Sequence, residues 1–126
     1  MKRVIATTSA PGAVGPYSQA VEANGFVFVS GQLPLDPATG AFVSDNTDEQ
    51  AEQCIKNLLA VLEAAGCKAE DVIKTTVFMI DIGDFSVVNE VYAKYFSGDC
   101  PARCAMQVSA LPKGALVEIE AIAVKP

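Results

Sequence analysis

The sequence predicts an α+β fold: a six-stranded mixed sheet with two helices on one face, in the order β-β-β-α-β-α-β-β. Two stretches repeat apolar residues at helical spacing, and six others are short and rich in apolar or β-branched residues. The chain has 126 residues and is 51% hydrophobic, the size and core content of one domain spanning 1–126. No internal repeat, low-complexity tract or linker divides it.

Residues 2–6 suit a short strand, which Pro11, Gly12, Gly15 and Pro16 then interrupt. The chain is extended again over 17–23. Asn24-Gly25 is the dipeptide a two-residue hairpin favours, because both turn positions need positive φ. A buried strand follows over 26–32. Strict alternation puts Phe26, Phe28 and Ser30 on one face and Val27, Val29 and Gly31 on the other. Thr47-Asp48-Glu49-Gln50 reads as a capping box, with Thr47 as the cap and Gln50 reaching back. It opens a helix over 47–65, whose apolar stripe is Ala51, Cys54, Ile55, Leu58, Leu62 and Ala65; Gly66 ends it. The β-branched run over 72–80 is a central strand. Asp84 or Ser86 caps a second helix bearing Val88, Val91, Tyr92 and Tyr95, which stops by Gly98 and Pro101. Strands near 103–109 and 115–124 complete the order. Two helices cover one face only. Apolar residues remain for both faces, so the bare face predicts self-association.

Charge and composition exclude several functions. Nine Lys and Arg stand against 15 Asp and Glu, a net charge of −6 that should repel nucleic acid. There is no His, which removes the Ser-His-Asp triad, the Cys-His dyad and His-ligated zinc. The first residues lack the apolar run of a signal peptide, and no stretch nears the roughly 18 apolar residues of a membrane span. A cytoplasmic protein with no membrane partner is expected. Cys54, Cys67, Cys100 and Cys104 contain no CxxC and are expected to be reduced and mostly buried.

Few residues remain for chemistry. Arg103, between Ala102 and Cys104, opens a strand expected to be buried. It is either a surface or ion-paired arginine or a fork for a small carboxylate. Alternation places Arg103, Ala105, Gln107 and Ser109 on one face, and Cys104 on the other. Glu118 and Glu120 share one face of an apolar strand. One ion pair and one solvated acid would explain them; so would a group that holds water or moves a proton. Tyr17 is a core or interface tyrosine or a hydroxyl at a pocket rim. Ser30-Gly31 marks either a close backbone approach to a ligand or a bulge.

The linear order of these segments carries more than any one of them. Gly15-Pro16-Tyr17-Ser18-Gln19-Ala20, Val29-Ser30-Gly31-Gln32, Lys74-Thr75-Thr76-Val77-Phe78, Val88-Asn89-Glu90-Val91-Tyr92, Pro101-Ala102-Arg103 and Val117-Glu118-Ile119-Glu120-Ala121-Ile122-Ala123 together resemble the Rid family, also called YjgF. Pro-Ala-Arg, then Leu-Pro, then Val-Glu-Ile-Glu-Ala-Ile-Ala, resembles its RidA subgroup. The resemblance spans nearly the whole chain.

The resemblance implies a chorismate-mutase-like fold and a homotrimer with a ligand cleft at each subunit interface. It also implies hydrolysis of 2-imino acids or their enamine tautomers, such as 2-iminobutanoate and 2-iminopropanoate, to 2-keto acids and ammonia. Carried over position by position, Arg103 holds the substrate carboxylate and Glu120 helps hold the attacking water. Tyr17, Ser30, Gly31 and Asn89 line the cleft. Ala105 stands where the family often has a cysteine, so a thiol role there is lost. No metal or cofactor is required, since an iminium carbon is already electrophilic. The alternatives are a non-catalytic trimer that binds 2-keto acids or related carboxylates through Arg103, and a ribonuclease or translation inhibitor, which the acidic, His-free composition disfavours.

Overall fold

The expected element order is present in a computed structural model that describes residues 1–126. The strands are β1 (Arg3–Ile5), β2 (Ala20–Ala23), β3 (Phe26–Gln32), β4 (Val72–Met79), β5 (Ala102–Gln107) and β6 (Val117–Val124). The helices are α1 (Thr47–Ala64) and α2 (Phe85–Ala93). The sheet runs β1-β2-β3-β6-β4-β5. Only β4 and β5 pair in parallel; every other neighbouring pair is antiparallel. The last strand in sequence thus lies at the centre of the sheet, and β5 is left at an edge.

Burial follows alternation. Val27, Val29, Val77, Met79, Val117 and Ile119 all face the helices and join Ile55, Leu58, Leu62 and Val88 in one core. Each such aliphatic side chain contributes about 1.5–3 kcal/mol when fully buried. The opposite face has no helix. There Val4, Phe26, Phe28, Met106 and Val124 are exposed, which is the bare apolar face expected from two helices. Neither helix is long and apolar enough to cross a membrane.

The turns behave as their residues require. Asn24 and Gly25 both have positive φ, 51° and 80°, and close the β2–β3 hairpin. Gly66 (φ 83°) ends α1, with its N–H donating to the Glu63 carbonyl and that of Cys67 to the Leu62 carbonyl. The Lys125 ammonium donates to the Ala65 carbonyl at the same helix end.

Several local expectations are overturned. Thr47 is not the cap. Asn46 occupies that position without a side-chain cap bond, and the Thr47 hydroxyl instead donates to Asp84 Oδ2 at 2.9 Å, tying the starts of the two helices together. Gln50 does not reach back either. It is buried, and its amide bridges the Ser44 carbonyl (3.0 Å) and the Leu116 N–H (2.8 Å), because a buried amide needs partners at both ends. The second helix stops at Ala93, before Tyr95. Strand β2 starts only at Ala20, leaving Tyr17 in the preceding loop. Strand β5 is not buried: as an edge strand it leaves Arg103 exposed.

Candidate active site

The sequence-predicted residues form two groups on opposite faces of the sheet. Arg103 lies in register with Thr75 of β4, and Thr75 with Ala121 of β6. Thr75 and Ala121 are buried against the helices, so Arg103 also points to the helix side. Its Nη1 donates to Asn89 Oδ1 of α2 at 2.7 Å. The guanidinium carbon lies 5.3 Å from the centre of the Phe85 ring and 4.9 Å from that of Tyr92. The Tyr92 hydroxyl shares a 2.7 Å hydrogen bond with buried Thr75 Oγ1. Burial, partly opposed by that bond and by the Arg103 charge, pushes the Tyr92 phenol above its ordinary range. Ala105 follows on the same face, opposite Val77. Beside Arg103 opens a cavity of about 480 Å³, walled by Asn89, Tyr92, Phe96, Cys100 and Pro101. No carboxylate pairs with Arg103; the ion pairs of the chain join Arg3 and Lys125 to Glu22.

The second group surrounds a cavity of about 600 Å³ on the open face, where Tyr17, Ser30, Gly31, Lys113, Glu118 and Glu120 converge. A bulge between Val29 and Gln32 creates it. The extra residue breaks the alternation of β3, so Gly31 leaves the face of Val27 and Val29 and turns toward Glu118, contrary to the expected pattern. A Cβ on Gly31 would lie 2.6 Å from Glu118 Oε2, so glycine is what allows the carboxylate to lie against the strand. Ser30, in the cavity wall, donates its hydroxyl to the Ser18 carbonyl at 2.6 Å, which fixes the side chain. Gln19 accepts from the Thr7 N–H (2.7 Å) and donates to the Pro11 carbonyl (2.8 Å), holding the loop that carries Tyr17.

The two acids differ. Glu118 is half-buried, and its carboxyl is pushed up, first by burial and then by the charge of Glu120. Glu120 is exposed at the rim. Their shared face was legible in the sequence; the depth difference was not, because it comes from the bulge that brings Gly31 over Glu118 and not Glu120.

Tyr17, Ser30, Gly31 and Glu120 are therefore assembled within one chain, and Arg103, Asn89 and Ala105 within the same chain elsewhere. The two groups are separated by β4 and by the thickness of the sheet. Along the sheet alone, β5 and β6 are two strand spacings, about 10 Å, apart. Sequence reasoning missed Phe85, the Thr75–Tyr92 bond and Lys113. Thr75 and Tyr92 stand in segments that carry the family resemblance, but nothing in linear spacing pairs them.

One thiol reaches a cavity: Cys100, in the wall beside Arg103. All four cysteines are free. Cys54 and Cys67 are buried, while Cys100 and Cys104 are exposed, so burial holds for two of the four. Burial pushes the Cys54 and Cys67 thiols up. Cys104 lies in register with Thr76, on the face opposite Arg103. No cluster of three or more Cys, Asp or Glu side chains is arranged to hold a metal ion.

Both groups of residues line cavities of small-molecule size, about 480 and 600 Å³. The chain belongs to the Rid (YjgF) family: the profile of the family described as Endoribonuclease L-PSP matches residues 7–125. It is 58% identical over 118 residues to a RutC family protein of Sinorhizobium fredii, covering 94% of each chain. It is 51% identical over 125 residues to the 2-iminobutanoate/2-iminopropanoate deaminase of Homo sapiens, covering 99% of this chain and 91% of that one. The crystal structure of E. coli TdcF with bound serine matches with a TM-score of 0.94 at 43% identity, over 98% of this chain and 99% of that chain.

Proposed function

We propose that this protein hydrolyses 2-imino acids, 2-iminobutanoate and 2-iminopropanoate among them, to 2-keto acids and ammonia. The observation that carries the proposal is Arg103: a guanidinium backed by two rings, anchored by one hydrogen bond, facing a cavity and paired with no acid. Such a group lacks the carboxylate it is shaped to bind, and a 2-imino acid supplies one next to its reactive carbon. The full-length relationship to a deaminase of that substrate class supports the same reading.

The reaction asks little of the protein. Arg103 holds the carboxylate, so that the C=N carbon sits at a fixed point. Water adds to that carbon, a proton passes from the new hydroxyl to nitrogen, the C–N bond breaks, and ammonia leaves as the ketone forms. The acids beside Ser30 and Gly31 hold the water and carry the proton. Sequence correspondence assigns the hold on water to Glu120. The geometry favours Glu118 for the proton, because its raised carboxyl lies deep in the cavity, and leaves Glu120 to orient water at the rim. Tyr17 and Ser30 complete the polar wall.

For one active site to contain both Arg103 and the acids, it must draw on two copies of the chain. A homotrimer closed over the bare apolar face provides this, with Arg103, Asn89 and Ala105 from one copy and Tyr17, Ser30, Gly31, Glu118 and Glu120 from the next. The cytoplasm is the proposed compartment, where free thiols persist. The test is direct. A PLP-dependent threonine dehydratase releases 2-iminobutanoate; adding this protein should speed loss of the imine signal without changing its formation. Unchanged imine decay, with 2-ketobutyrate still bound, would leave the protein a carboxylate binder and overturn the enzymatic proposal.

A further inference from the structure

We propose that Tyr92, pinned by Thr75 and flanked by Phe85, is a positioning residue that sets the guanidinium of Arg103 in the orientation that receives substrate. The inference rests on the carboxylate-binding role of Arg103 given above. An arginine on an exposed edge strand would ordinarily sample many rotamers, and ordering it on binding would weaken the complex. Here three contacts order it in advance. Asn89 takes one N–H, and the Phe85 and Tyr92 rings lie 5.3 and 4.9 Å from the guanidinium carbon.

Tyr92 is itself fixed. It is 6% exposed, its ring packs on Phe96 with centres 4.6 Å apart, and its hydroxyl is bonded to Thr75, which is fully buried. A phenylalanine would fill the same space but would leave the buried Thr75 Oγ1 without its partner, so the hydroxyl serves the fold as well as the ring. What the hydroxyl adds is a fixed depth and tilt of the ring beneath the cation. Thr75 lies beside Arg103 in the parallel register, so the same strand pair carries both the cation and the anchor of its seat. The remaining N–H groups of Arg103 are left for the ligand, on a side chain that does not have to search for it.

The seat should act on ground and transition states alike, because the carboxylate is held in both. Removing the Tyr92 ring should therefore raise KM, and the Kd for 2-ketobutyrate, by about 3- to 30-fold, with kcat changed little. The experiment measures 2-ketobutyrate binding by calorimetry and imine hydrolysis for Tyr92→Leu, Tyr92→Phe and Phe85→Leu, each alone and with Arg103→Gln. Tyr92→Phe keeps the ring but not its Thr75 anchor, and should recover only part of the affinity lost in Tyr92→Leu. In the Arg103→Gln background the Tyr92→Leu loss should shrink to less than about twofold, since no cation remains to be seated. An equal fold-loss in both backgrounds would make Tyr92 merely structural and overturn the proposal, as would unchanged binding in a folded Tyr92→Leu protein. If Tyr92→Leu does not fold, Tyr92→Phe decides by the same two comparisons. Wild-type binding that ignores Arg103→Gln would instead refute the role of Arg103 itself, which separates the two failures.

Discussion

Replacing Arg103 with alanine should weaken ligand binding by about 100-fold or more while leaving the fold intact, and the structure sets both magnitudes. The side chain is exposed, makes one hydrogen bond, to Asn89, and lies over two rings. Losing these from a solvated edge strand should cost on the order of 1–2 kcal/mol of stability, a shift of several degrees in melting temperature. A bidentate hold on a carboxylate is two charge-assisted hydrogen bonds. At about 1.5 kcal/mol each, the low end of their range, they are worth roughly 3 kcal/mol, or somewhat over 100-fold in affinity. Arg103→Ala should thus lose at least that factor for 2-ketobutyrate and a similar factor in kcat/KM. Arg103→Lys keeps the charge but not the fork, and should recover only part of it. Calorimetric titration and thermal melting on one sample test both numbers. A stable Arg103→Ala protein that binds and turns over normally would refute the reasoning. So would a protein that melts far below wild type yet shows normal activity per folded molecule, because Arg103 would then be a structural residue.

Further outcomes follow from the acid-lined cavity and from the proposed assembly. Glu118→Gln should reduce turnover more than keto-acid binding and more than Glu120→Gln does; steady-state kinetics with the reverse order would assign the proton to Glu120. Since the Glu118 carboxyl is raised, its contribution to stability is present below the ordinary carboxylate range and is lost as pH rises through the raised value. The Glu118→Gln protein should therefore melt above wild type at neutral pH and level with it in acid, by a small margin because the group is only half-buried; equal melting at both pH values would contradict the burial argument. Gly31→Ala would put a Cβ 2.6 Å from Glu118 Oε2, a contact that the flexible carboxylate relieves by swinging away. It should fold normally yet lose turnover as Glu118→Gln does, and an active Gly31→Ala protein would show that the resting place of Glu118 does not matter. Light scattering should give three times the chain mass, and co-refolding Arg103→Ala with Glu118→Gln should restore activity, with random mixing rebuilding about a quarter of the sites. No restoration would place both residues of each site in one chain.

What the sequence made legible and what it hid divide along a physical line. Periodicity located both helices and all six strands, because burial of one face fixes a 3.6- or 2-residue repeat whatever the neighbours are. It misread what depends on partners far along the chain. Thr47 and Gln50 spell a capping box, yet Asp84, 37 residues away, takes the threonine hydroxyl, and the loop before β6 takes the glutamine. Gly31 was assigned by alternation to the wrong face, since a bulge shifts parity by one residue and leaves only a glycine as its mark. Arg103 was expected in a buried strand, but β6 inserts between β3 and β4 and pushes β5 to the edge, a consequence of strand order that no local pattern encodes.

That strand order also bears on the active site. Residues paired across a sheet share a face, so the register Arg103–Thr75–Ala121 and the adjacent register Cys104–Thr76–Glu120 must point oppositely. Alternation alone therefore keeps Arg103 and Glu120 on different sides of their own sheet, whatever rotamers they adopt. If both act on one substrate, the second must come from another molecule, and the apolar open face that surrounds the acids is where another molecule would dock. On the proposed function, self-association is then required by the chemistry as well as favoured by the uncovered surface. A substitution such as Phe26→Glu on that face, at an exposed residue that lines neither cavity, should separate the copies and remove imine hydrolysis with them. Sedimentation and activity measured together over a dilution series should fall in parallel. A monomeric Phe26→Glu protein with full activity would break the link between assembly and catalysis.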